Sequence, residues 1–226
     1  MSQKQPTKLP HWPSFHGTEP KKMATALASN PASQPLPASQ PLPASQPLTT
    51  EEKRQEALRY ISGYPADLQN QVKELIINEK LTSYLLTRYP EPHEYNSNKL
   101  LRTYTNNIKN SYLRSSERLS KVCFDDKLHL IYHALGTQSF ISLAHGGKLK
   151  VRRELRVSSL FKQSPEPLLR MIVVHELAHL KEKEHNQAFY RLCLHMEENY
   201  HQLEFDARLY LIHRELFGSL YDHKLK

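Results

Sequence analysis

From Met171 to Leu180 the chain reads Met-Ile-Val-Val-His-Glu-Leu-Ala-His-Leu, and only His175, Glu176 and His179 are polar. A helix built from this run is apolar around most of its circumference, so it must lie inside a core. Burying two imidazoles and a carboxylate without partners costs several kcal/mol. Positions 175 and 179 stand one turn apart on one face, so both rings can reach a single ion at ~2.0–2.1 Å, while Glu176 projects about 100° round the helix beside that ion. A metal ion would remove the burial penalty and turn the same residues into a site. By itself H-E-x-x-H is weak evidence, since chance places one in roughly one of twenty shuffled sequences of this composition. The apolar setting gives it weight.

Catalytic zinc normally takes three protein ligands and keeps a fourth position open. The nearest third ligand is His185, in H-E-x-x-H-x-x-x-x-x-H. On an unbroken helix it would lie about 240° round and about 9 Å along from His179, so it ligates only if the helix ends within 180–184. Leu180-Lys181-Glu182-Lys183-Glu184 has no Gly or Pro and favours continuation, whereas Asn186 is a good N-cap for the residues that follow and implies a break. Glu204, on a later helix, is the alternative ligand. His185 is the favoured one, which makes the metal ligands His175, His179 and His185 and the base Glu176.

The remainder divides near residue 50. Residues 31–48 are three identical copies of Pro-Ala-Ser-Gln-Pro-Leu, and 10 of the 15 prolines precede residue 51. Two prolines in six residues exclude a helix interior or a central strand, so 1–48 is expected to be a disordered tail ahead of one domain at 49–226. Thr49 and Glu52 form a capping box for a first helix. A second follows Pro65 and continues or re-forms through Leu86, and a third carries Leu100, Tyr104, Ile108 and Tyr112 at four-residue spacing. The period then changes: Leu128–Leu135, Gln138–Ala144 and Lys148–Val151 read as strands with a turn at Gly146-Gly147, and Leu155, Val157 and Phe161 as one more. Helices return from about Leu168, from Asn186 and from Tyr200. Helices, a small sheet, then helices predict an α+β fold of zincin type.

The stretch 169–186, with Phe189-Tyr190 and Tyr200-His201-Gln202-Leu203-Glu204-Phe205-Asp206, resembles the YgjP-like metallopeptidases, relatives of the Wss-type and SprT-type zinc proteases. A weaker likeness extends over about 60–215, through Gly63-Tyr64-Pro65, Arg88-Tyr89-Pro90, the segment 129–140 and Gly147-Lys148-Leu149-Lys150. The resemblance implies a zinc peptidase in which a small sheet packs on the H-E-x-x-H helix, with His175, His179 and His185 on Zn2+ and Glu176 as base. Metzincin relatives place Gly midway between the second and third histidines; here that position is Glu182, so their turn cannot be copied.

The expected function is therefore metal-assisted hydrolysis of a protein or peptide substrate. Tyr200 and His201 are weighed as oxyanion donors and set aside as structural, and the strand segment from Glu154 to Phe161 is a candidate edge for an extended substrate. The net charge of +8 makes nucleic acid a further candidate partner. Two alternatives follow from it: a nucleic-acid-associated protein with a structural zinc, or a protease acting on DNA-bound proteins. No apolar run reaches membrane-spanning length, no signal-type segment opens the chain, and Cys123 and Cys193 form no C-x-x-C pair, so a cytoplasmic, reduced protein is expected. His129, His133, His195, His213 and His223 have no ligand spacing and are expected to be surface or hydrogen-bonded residues.

Overall fold

A computed structural model describes residues 49–128, 136–145 and 148–222, with the backbone alone over 136–145 and 148–152. The expected tail, the segment 129–135 with His129 and His133, the Gly146-Gly147 turn and His223 lie outside the described residues. Four helices come first: α1 (Thr50–Ala57), α2 (Ala66–Ile77), α3 (Leu81–Arg88) and α4 (Asn98–Tyr112). Strands β1 (Lys121–Asp125), β2 (Gly136–His145) and β3 (Lys148–Ser158) follow, then α5 (Glu166–Ala178), α6 (Gln187–Met196) and α7 (Tyr200–Phe217). The predicted α+β order is observed.

Local chemistry sets most of the helix boundaries. The Thr49 hydroxyl accepts from the Glu52 amide at 3.2 Å while the Glu52 carboxylate accepts from the Thr49 amide at 2.7 Å, closing the capping box of α1. Between α2 and α3 the helix re-forms rather than continues, because Glu79 adopts a left-handed conformation (φ 56°) and breaks the ladder. On α4 the buried face is Leu101, Tyr104, Thr105 and Ile108, whereas Leu100 and Tyr112 are exposed. A strict four-residue spacing advances about 40° per step, so its two ends rotate off the packed face.

The sheet order is β1-β3-β2. β2 and β3 form the expected antiparallel hairpin, from His145 opposite Lys148 to Gly136 opposite Val157. Two expectations are corrected. The separate strands at Lys148–Val151 and Leu155–Phe161 are one strand ending at Ser158, with Phe161 buried in a 3-10 turn (Ser159–Gln163) beyond it. β1, which was not foreseen, pairs parallel with β3 from Lys121 opposite Glu154 to Asp125 opposite Ser158. β3 is therefore central, and its segment from Glu154 onward is no edge for substrate addition.

Helix α5 is the hub, packing on α6, α7, β2 and β3. It starts at Glu166, two residues before the expected Leu168, because Pro167 fits the first turn, where its missing N–H is not needed. Leu168, Leu169, Met171, Ile172, Val173, Val174, Leu177 and Ala178 are all buried, each larger side chain worth about 1.5–3 kcal/mol of transfer free energy. Among the described residues no helix is long and apolar enough to cross a membrane.

Candidate metal centre

The α5 helix ends at Ala178, and the amides of Leu180, Lys181 and Glu182 turn back onto the carbonyls of Leu177 and Ala178. The chain then runs through Lys183 and Glu184 to Asn186, whose side chain accepts from the Phe189 amide at 2.9 Å and starts α6. The cap at Asn186 thus prevails over the helix-favouring composition of 180–184. The turn closes without a positive-φ residue, so the glycine of the metzincin pattern is not needed at Glu182.

This break brings His185 back over α5. The ligand-capable atoms of His175, His179 and His185 lie within 4.8 Å of one another, with the Nε2 atoms of His175 and His185 3.1 Å apart. Tetrahedral zinc with ~2.0–2.1 Å bonds separates its nitrogen ligands by about 3.3 Å, so that pair is near ligand spacing. Glu204, the alternative ligand, instead pairs with Arg208 at 3.0 Å and stands outside the group.

On His175 and His179 the other ring nitrogen is held from behind. His179 Nδ1 lies 2.9 Å from the carbonyl oxygen of Glu182. A carbonyl only accepts, so His179 carries its proton on Nδ1 and presents an Nε2 lone pair. His175 Nδ1 lies 2.6 Å from the Tyr200 hydroxyl, at the start of α7. Beneath all three imidazoles sits the ring of Phe189, fully buried, with centroids 5.0, 4.6 and 4.7 Å from His175, His179 and His185. Burial, then the repulsion that protonation of the neighbouring His179 and His185 would add, holds the His175 imidazole well below its usual range and keeps it neutral, as a ligand must be.

Glu176 is 3% exposed, and its Oε2 has no hydrogen-bond partner. Burial pushes its carboxyl up to about 8. Three clustered imidazoles, with an orphaned carboxylate oxygen on the residue next to His175, fit a divalent, borderline-soft cation with an open position, and zinc meets that description. Among the described residues this is the one such group.

Other expectations on polar residues divide. His213 is buried with Nε2 3.0 Å from Thr82 Oγ1, and His195 is exposed with its ring edge-on to Tyr112. Both Cys123 and Cys193 are buried free thiols, and burial pushes the Cys193 thiol up. In the basic run of β3, Arg153 pairs with Glu117 at 2.6 Å and Arg156 with both Asp125 and Glu154. Sequence reasoning left Phe189 without a site role and set Tyr200 aside; their spacing from the histidines along the chain offers no signal, since tertiary packing brings them in.

The family description "YgjP-like, metallopeptidase domain" matches residues 41–206. The UTP pyrophosphatase of Escherichia coli (strain K12) is 53% identical over 154 residues, which is 68% of this chain and 92% of that protein. No solved structure matches.

Proposed function

The chain belongs to the YgjP-like metallopeptidase family, and from that premise we propose that it is a zinc-dependent hydrolase that cleaves UTP with release of pyrophosphate. The observation that carries this reading is the 53% identity to a UTP pyrophosphatase across 92% of that relative's length. His175, His179 and His185 hold the ion, and the rear nitrogens of His175 and His179 are supported by the Tyr200 hydroxyl and the Glu182 carbonyl. When bound, zinc supplies positive charge that polarises the bond under attack and lowers the pKa of a water molecule. Glu176 accepts the proton of the attacking water at Oε2, the oxygen with no protein partner, and burial makes it a stronger base than an exposed carboxylate. The same carboxyl can then return the proton to the leaving group. Three imidazoles without a fourth protein ligand among the described residues suit a catalytic rather than a structural site.

The charge balance, unexplained by a peptide substrate, suits a polyanion. A net charge of +8 favours approach of a triphosphate.

Peptide-bond hydrolysis is the second reading, favoured by the H-E-x-x-H set and by the family's metallopeptidase description. The same base and ligands would serve attack on a carbonyl carbon. Zinc-loaded protein incubated with UTP, the other nucleoside triphosphates and a mixed peptide library separates the two. UMP and pyrophosphate from UTP, absent with Glu176→Gln, is the expected result. Peptide cleavage with no nucleotide turnover would replace the first reading by the second.

A further inference from the structure

We propose that Tyr200 is a positioning residue of the metal centre: its phenol oxygen receives the Nδ1–H of His175 and so fixes the tautomer and ring plane that present Nε2 to the ion. This rests on the reading of His175, His179 and His185 as ligands. The two nitrogens of an imidazole point to different sides of the ring, so a hydroxyl 2.6 Å from Nδ1 stands behind His175, away from its Nε2, which lies 3.1 Å from His185 Nε2. From there it cannot donate to an oxyanion formed at the ion. The phenol is fully buried, and its ring lies nearly parallel to the imidazole (16°, centroids 6.3 Å apart). With Nδ1–H donated to the oxygen, the Tyr200 hydroxyl remains free to donate onward.

The two ligands on α5 are thus supported from different sources. His179 is held by the carbonyl of Glu182, within its own loop, whereas His175 is held by a side chain 25 positions away in sequence. Tyr200 is the first residue of α7 and α7 packs on α5. Seating of α7 is thereby coupled to the quality of the metal site.

Removing an outer-shell partner of a ligating histidine typically weakens metal binding by 10–100-fold. Tyr200→Phe, which deletes the oxygen and keeps the ring, is expected to lower zinc affinity by roughly that factor in competition with a chromophoric chelator. It should also alter the visible absorption of the Co2+-substituted protein. Tyr210→Phe is the control: it removes a buried hydroxyl that donates to the Leu160 carbonyl at 3.1 Å, and should leave both readouts unchanged. Tyr200→Phe with parental zinc affinity and an unaltered cobalt spectrum overturns the proposal. Should that variant fail to fold, 15N NMR of the unaltered zinc-loaded protein decides. A slowly exchanging proton on His175 Nδ1 supports it; ligation through Nδ1, or an Nδ1 proton exchanging at the solvent rate, overturns it. Neither readout involves UTP, so a protein that binds zinc tightly and cleaves no UTP defeats the substrate reading alone.

Discussion

Two buried carboxyl groups, Glu176 on α5 and Asp206 on α7, are treated in opposite ways. Asp206 is fully buried and accepts from the Tyr89 hydroxyl at 2.6 Å and the Gln202 amide at 3.0 Å, with the Arg88 guanidinium 3.1 Å away. Burial raises its pKa, and these partners pull it back. Glu176 has the burial without the partners: desolvation alone raises it. At Asp206 the carboxyl is satisfied within the fold. At Glu176 an oxygen is left for something that the polypeptide does not supply.

The largest effect that would break this contrast is on turnover. Glu176→Gln should lower hydrolysis by at least ~10²–10⁴-fold, the usual contribution of a general base, while zinc content and thermal stability hold or improve. A folded, zinc-loaded variant that keeps its activity would remove the distinction between the two carboxyls.

Asp206→Ala is the converse. It strands the Arg88 charge and should cost about 3–5 kcal/mol in urea unfolding, the range for breaking a buried pair. Because Arg88 is 29% exposed, the lower end of that range is expected. Zinc bound per folded chain should not change; loss of zinc in a folded Asp206→Ala protein would make Asp206 part of the site.

A third difference is in pH dependence without metal. The Glu176 carboxyl sits near 8 in the folded chain against an ordinary 4.5. Between those values the folded state binds the extra proton, so stability falls as pH rises from about 4.5 to about 8. The Tm of chelator-treated Glu176→Gln should therefore gain on that of the parent from pH 5 to pH 8, by the equivalent of a few kcal/mol at ~1.4 kcal/mol per unit. A gap that is flat with pH contradicts the buried, unpartnered carboxyl.

The smallest effect concerns Glu204. Its pairing with Arg208 is partly exposed, at 22% and 21% for the two side chains, so Glu204→Gln should cost less than about 1 kcal/mol. It should leave zinc affinity unaltered. A large loss of zinc would restore Glu204 as the third ligand in place of His185.

The same contrast separates what was legible in the sequence from what was not. His175, Glu176 and His179 could be placed together because one helical turn fixes their relation, and Asn186 marked the break that returns His185. Phe189 and Tyr200 acquire their places beside the imidazoles through packing of α6 and α7 on α5, which spacing along the chain does not encode. In the sheet, the hairpin of β2 and β3 followed from local turn chemistry. β1 was missed because Lys-Val-Cys-Phe-Asp is only five residues long and pairs in parallel some 30 positions downstream, with no adjacent turn to announce it. The four-residue stripe of α4 identified the helix and misplaced the ends of its buried face.

Metal and substrate meet in one measurement: UTP hydrolysis by chelator-stripped protein during stepwise addition of Zn2+, with bound metal counted in the same samples. The account predicts no turnover without metal, activity rising to a plateau at one zinc per chain, and none at any zinc level in Glu176→Gln. Turnover by the stripped protein, or by zinc-loaded Glu176→Gln, would contradict it.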